Sequence, residues 1–180
     1  MIDSPPAAPP TVVRGYRFEP VYGRVAPALR QEIVALWLAA GVLPEDEARR
    51  RVDEVVIAIR NPAGELAGVN TAYVRGVTGG SGSWYFYRTF VRPEDRGVPG
   101  VVSGALRVAI ETLRAYPHPE HPRGVVAVIE NPKLANRGPM RRMDRLGLHR
   151  IGQDAAGRDV WCIKFDGTVP VAPPGLLRQV

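Results

Sequence analysis

The sequence predicts a single domain of the mixed α/β (α+β) class, and three observations carry that expectation. Short β-rich runs alternate with segments whose apolar residues recur at helical spacing, and clusters of Pro and Gly separate the two kinds. The composition, 45% hydrophobic and 23% charged, suits an ordinary buried core rather than a disordered chain or a coiled coil. With ~100–200 residues per domain as the usual range, 180 residues leave room for one domain and its tails. The organisation expected is a Pro-rich disordered arm over 1–12, a folded domain over 13–165 and a Pro-rich tail over 166–180.

Within the domain, a short strand near Tyr16 to Tyr22 precedes a first helix, in which Leu29, Ile33, Leu36, Trp37 and Ala40 form one stripe ending at Gly41. A short second helix comes next. Pro44 stands at its first position, Glu45, Asp46 and Glu47 suit its positive end, and Arg49, Arg50 and Arg51 suit its negative end. Val55 to Arg60 and Glu65 to Arg75 are β-rich and are joined by Asn61-Pro62-Ala63-Gly64, so they read as an antiparallel hairpin. The glycine-rich loop Gly76 to Gly82 leads to an aromatic strand, Ser83 to Val91, expected in the middle of the sheet.

After the punctuation of residues 92–100 comes a strong amphipathic helix, with Val102, Leu106, Ala109, Leu113 and Tyr116 on its apolar side. A Pro-rich loop from Pro117 to Pro122 leads to a buried strand, Val125 to Glu130, and then to a basic helix from Pro139 to Leu146, stopped by Gly147. Two strands, Leu148 to Gln153 and Arg158 to Phe165, close the domain around Gly157.

Composition also narrows the function. No apolar run reaches the ~20 residues of a membrane helix, and the first dozen residues lack the basic-then-apolar order of a signal peptide, so a cytoplasmic location is expected. The only cysteine, Cys162, cannot form an intrachain disulfide and reads as a buried strand thiol. The net charge of +6 is carried almost wholly by arginine, Lys133 and Lys164 being the only lysines. That balance suits anionic ligands but does not choose among them.

The segment Phe90-Val91-Arg92-Pro93-Glu94-Asp95-Arg96-Gly97-Val98-Pro99-Gly100 combines a strand end, a turn and a helix start. Free amides and partial positive charge at such a junction suit a pyrophosphate. The segment resembles the junction between the fourth strand and third helix of the GNAT (GCN5-related N-acetyltransferase) superfamily, a Val-x-Pro followed by Arg/Gln-x-x-Gly-x-Gly/Ala. A second stretch, from Asn136-Arg137-Gly138-Pro139 through Met143 to Gly147-Leu148, is similar to that family's Asn-x-x-Ala-x-x-Leu-Tyr-x-x-x-Gly-Phe. The element order agrees over the whole folded unit.

The resemblance implies a GNAT-like fold with a mostly antiparallel mixed sheet of about 6–7 strands and about four helices on both faces. It implies acetyl-CoA or another acyl-CoA as co-substrate, with no metal. Phe90, Val91 and Arg92 would contact the pantetheine arm. Arg96, Gly97, Val98, Gly100, Val101 and Val102 would hold the pyrophosphate, and Asn136 joins the cofactor-binding set. Two departures stand out. The family's small positions fall on Pro99 and Val101, so either the loop is shifted by one residue, with Gly97 and Gly100 serving, or its hold on coenzyme A is weaker. The tyrosine that protonates the leaving thiolate in many members falls on Met143, whose thioether has no proton to donate.

Acyl transfer to an amine needs a base, an oxyanion donor and a proton for the thiolate. The resemblance points to the backbone near Val91 for the oxyanion. A family carboxylate in mid-strand falls near Tyr85, so Tyr85, Glu130 and Asn131 are the catalytic candidates, Glu130 as base with Asn131 orienting a water. Tyr87 and Arg88 are the acceptor-binding candidates, Arg88 because a charged side chain in a central strand needs a partner. His118-Pro119-Glu120-His121 reads as a surface loop rather than a metal site.

The function expected is therefore an acyl-CoA dependent N-acyltransferase acting on a small-molecule or peptide amine, with no membrane partner. A homodimer is compatible with the resemblance. The rivals are a catalytically degenerate acyl-CoA-binding or regulatory module, a longer-chain N-acyl amino acid or autoinducer synthase-like enzyme, and a nucleic-acid binder supported by charge alone.

Overall fold

A computed structural model describes residues 10–76, 82–129 and 143–171. Eleven regular elements carry the labels used below: β1 (Thr11–Val13), β2 (Tyr16–Pro20), α1 (Pro27–Ala39), α2 (Glu45–Arg51), β3 (Val55–Arg60), β4 (Leu66–Gly76), β5 (Ser83–Val91), α3 (Val101–Ala115), β6 (Gly124–Val128), β7 (His149–Gln153) and β8 (Asp159–Lys164). Residues 143–145 are also helical, and 139–142 of the helix expected from Pro139 to Leu146 lie outside the described residues. The strands form one mixed sheet in the order β1-β2-β3-β4-β5-β6-β8-β7. The eighth strand, β1, arises where the sequence suggested an arm. Arg14 and Gly15 both take positive φ, 50° and 81°, a two-residue turn that folds Thr11–Val13 back on β2.

By chain contacts the molecule divides into two compact units, Met1–Ala72 with Thr89–Tyr116 and Tyr73–Arg88 with Pro117–Val180. In the first, β2, β3 and β4 pair antiparallel, Phe18 opposite Ile59 and Ala58 opposite Val69. Residues paired across strands share a face, so each pair marks one side of the sheet. On the Ala58 and Val69 side, α1 and α2 contribute Ile33, Trp37 and Ala48 to a buried cluster. On the Phe18 side lies α3, whose Gly104 sits so close that a Cβ there would be 2.7 Å from the Phe18 ring. Helices on both sides explain why β3 is buried at every position from Val55 to Ile59. The expected helix boundaries hold to within a residue or two, except that Pro44 occupies the N-cap of α2 rather than its first turn.

In the second unit β5 pairs parallel with β6, Tyr85 to Tyr87 lying opposite Val125 to Ala127. β8 then inserts between β6 and β7, antiparallel to both. Trp84, Phe86, Val126, Val160 and Cys162 form its core. Gly124 is required there, because a Cβ would meet the Ile163 carbonyl at 2.0 Å. Burial pushes the Cys162 thiol up to about 12, as suits a structural cysteine. The helical turn at 143–145 stops before Gly147 (φ 79°), with Leu148 N bonded to Met143 O at 3.1 Å and Gly147 N to Asp144 O at 2.9 Å, the paired bonds of a Schellman cap. Among the described residues, no helix is long and apolar enough to cross a membrane.

Candidate functional site

The junction between β5 and α3 lies wholly within the first unit. β5 ends at Val91: the Arg92 amide makes a last bond, to Ala67 O of β4 at 2.8 Å, and the next residue, Pro93, has no N–H to carry the ladder further. Gly68 lets the two backbones meet here, since a Cβ on it would lie 2.4 Å from Phe90 O. A 3₁₀ turn, Pro93–Asp95, follows.

Beyond that turn the chain forms a loop of sparsely bonded amides. Arg96 N reaches Pro93 O at 3.4 Å, Val98 N reaches Asp95 O at 3.5 Å and Val101 N reaches Val98 O at 3.3 Å, all long. The first full helical bond of α3 runs from Gly104 N to Gly100 O at 2.8 Å. Among the described residues, the amides of Gly97, Gly100, Val102 and Ser103 meet no acceptor. No side chain caps α3, and its first turn holds no acidic residue. Fifteen residues of aligned peptide dipoles therefore end in uncompensated positive charge.

Gly100 stands where the loop meets the helix. It takes φ 90° and ψ −16° at the N-cap of α3, whereas Gly97 is not in the left-handed region. The turn glycine is thus Gly100, one place beyond Pro99, and Pro99 supplies no amide to the loop. Val101 is fully buried and anchors the helix start, while Val102 and Ser103 stay partly exposed beside their open amides.

Side chains stiffen the approach to this loop. Asp95, only 5% exposed, accepts a 2.5 Å bond from the Tyr16 hydroxyl and a 2.8 Å bond from Arg92 Nε. Arg92 also pairs with Glu94 at 3.3 Å and Glu65 at 3.4 Å, and its guanidinium is held above its usual range, first by the bond to Asp95. The Tyr16 hydroxyl is likewise raised by its bond to Asp95 and by burial. Arg96 folds back to donate Nε–H to Val91 O at 2.7 Å, its Cζ lying 5.8 Å from the Phe90 ring centre.

The expected site residues fall into three groups. Phe90, Val91, Arg92, Arg96, Gly97, Val98, Gly100, Val101 and Val102 are brought together in the first unit, although the Arg92 side chain is engaged by carboxylates and the Val91 carbonyl by Arg96. Tyr85, Tyr87 and Arg88 belong to the second unit. Tyr85 is fully buried, its ring 5.7 Å from that of His118 and 6.2 Å from that of Phe165. Tyr87 is buried as well. The Arg88 guanidinium lies 4.3 Å above the Tyr73 ring, which itself stacks on Phe86. Glu130, Asn131 and Asn136 lie outside the described residues. Asp95, Tyr16 and Ser103 were not among the expected site residues. The only trace they left in the sequence was an acid three places after Arg92, within reach across a single turn.

No protein-family model matches the chain, and no curated protein does either. Solved structures do match. A phosphinothricin acetyltransferase from Sinorhizobium meliloti, determined with AcCoA, superposes with a TM-score of 0.63 at 16% identity, over 90% of this chain and 95% of the other. The GNAT domain of S. lividans PAT gives 0.62 at 15% identity, covering 88% and 96%. The ribosomal-protein-S5-alanine acetyltransferase of Vibrio fischeri gives 0.58 at 11% identity, covering 91% and 100%. The chain therefore has the GNAT fold, in a sequence far diverged from those structures.

Proposed function

We propose that this chain is an acyl-coenzyme A dependent N-acyltransferase, moving an acyl group, acetyl in the simplest case, to the amine of a small molecule or peptide. One observation carries the proposal. Among the described residues, four amides without acceptors, those of Gly97, Gly100, Val102 and Ser103, gather at the positive end of α3 just beyond a strand end. Backbone donors of this kind suit the diphosphate of a nucleotide-bearing co-substrate. The Sinorhizobium acetyltransferase of the same fold was determined with AcCoA, which agrees with that chemistry.

In the reaction the amine nitrogen attacks the thioester carbonyl, a C–N bond forms, the C–S bond breaks, and the proton lost by nitrogen balances the one gained by sulfur. This chain's own contribution begins with binding, which the loop amides supply through the diphosphate. Glu130 is proposed as the group that receives the amine proton, through a water oriented by Asn131. Tyr87 and Arg88 are proposed for the acceptor. The thiolate takes its proton from solvent or the acceptor, since Met143 offers none.

Met143 also favours a second reading, a module that binds acyl-coenzyme A without turning it over. Calorimetric titration with acetyl-coenzyme A, followed by a thiol-release assay over a panel of amines, separates the two. Binding with thiol release supports the enzyme, binding alone supports the module, and no binding refutes both.

A further inference from the structure

The diphosphate loop stands on the N-terminal hairpin, residues 11–20, at two points. At one, Tyr16, the first residue of β2, donates its hydroxyl to Asp95 at 2.5 Å, where the 3₁₀ turn ends and the loop begins. At the other, Val13, the last residue of β1, lies so near Gly100 that a Cβ there would be 3.2 Å from its Cγ1. Tyr16 and Val13 are directly paired across the hairpin. The loop from Asp95 to Gly100 is thus spanned between two contacts on a single cross-strand pair.

The chemistry of the first contact is demanding. Among the described residues, Asp95 is the one charged side chain that is buried, and such a carboxylate persists only if fully paired. Its two oxygens are shared between the hairpin and the strand end, Oδ1 with Tyr16 and Oδ2 with Arg92. Tyr16 lies 79 residues away in the sequence, so this bond is tertiary, not local. The loop's own backbone bonds are long, from 3.3 to 3.5 Å, and none would hold its shape alone.

We propose that Asp95 is the positioning residue of the diphosphate loop, holding it between the Tyr16 hydroxyl and Arg92 so that the amides of residues 97–103 are set before the ligand arrives. The proposal rests on the acyl-coenzyme A reading for its ligand, but the ordering it claims exists without one. Preorganised donors bind more tightly because ordering has already been accomplished, so loosening them should weaken coenzyme A without altering the chemical step.

Two variants test this. Asp95→Asn keeps the shape but turns an amide toward a guanidinium, and Tyr16→Phe removes only the hydroxyl. The readout without ligand is amide hydrogen exchange by NMR in the full chain. The amides of Val98 and Val101, which close the loop's own bonds, should exchange about 10- to 100-fold faster in both variants, while those of the α3 core, such as Leu113, keep their rates. With coenzyme A added, Kd and the KM for acetyl-coenzyme A should rise about 10-fold or more with kcat little changed. Unchanged exchange at Val98 and Val101 in folded Tyr16→Phe overturns the proposal, whatever the ligand data show. Equal loosening at Leu113 also overturns it, since that marks a general stability role. Failure of wild-type protein to bind coenzyme A defeats the acyl-transfer reading instead, and the exchange data still decide the clamp.

Discussion

Replacing Ser103 by Asp sets two consequences of the same geometry against each other. Position 103 lies in the first turn of α3, whose open end has no acidic residue and no capping side chain. A carboxylate there meets the positive end of the helix and should stabilise the fold by ~0.3–1 kcal/mol, raising Tm by roughly 1–4 °C in a chain of this size. The same carboxylate would stand beside any diphosphate held by the amides of Val102 and Ser103, at a separation on the order of 4 Å. Like charges at that separation near a surface repel by ~1–4 kcal/mol, which is roughly a 5- to 1000-fold loss of coenzyme A affinity. Ser103→Ala is the comparison, because its Oγ reaches Gly100 O only at 3.4 Å and its loss should change either quantity little. Thermal melting and calorimetric titration read the two effects separately. A Ser103→Asp protein that melts no lower than wild type yet binds coenzyme A equally well would refute the placement of the ligand at α3.

The other expectations concern the frame around the site. Gly124→Ala forces a Cβ to 2.0 Å from the Ile163 carbonyl, a backbone atom that cannot swing aside, so a loss of about 3 kcal/mol or more is expected by denaturant titration; a loss under about 1 kcal/mol contradicts that packing. Ile33→Ala empties a fully buried position under α1 and should cost ~2–5 kcal/mol in the same measurement. Stability should also fall in alkali. The Cys162 thiol ionises only at about 12 in the folded chain but near ~8.5 when unfolded, so between those values the unfolded state alone releases the proton. Its contribution is complete below ~8.5 and is lost as pH climbs toward 12. Tyr22, pushed up to about 12 by burial and by Tyr116, acts in the same direction. Urea midpoints at pH 7, 8.5 and 10 should decline, and the decline should be shallower in Cys162→Ala; identical slopes would count against the buried thiol.

Most of this architecture was legible in the residues, for reasons that differ between elements. β5 is legible from Ser83 to Val91 because aromatic content and flanking turn residues bound it on both sides. α3 declared itself by spacing, and Gly147 by its position after the last apolar residue of a helix. β1 was hidden because three residues show no periodicity, and the turn that makes them a strand depends on Arg14 adopting a positive φ that arginine rarely takes.

The loop is the instructive case. Local sequence located it, yet which of its residues takes the left-handed conformation, Gly100 at the N-cap of α3, is not readable from the loop's own composition. Tyr16 and Asp95 escaped notice for a related reason. Nothing in the spacing of two residues 79 apart reveals that they are hydrogen-bonded. Tyr85 shows the opposite limit. Its strand was readable, but which way its face turns was not, and its complete burial between His118 and Phe165 depends on segments that fold back from far downstream.

The most direct test of a backbone diphosphate site is to monitor the amides themselves. In ¹⁵N-labelled protein titrated with coenzyme A, the resonances of Gly97, Gly100, Val102 and Ser103 should move together and saturably, with downfield proton shifts as each gains an acceptor, and inorganic pyrophosphate should move the same set more weakly. Saturating binding that leaves these four resonances in place, with the shifts concentrated elsewhere, would contradict the assignment.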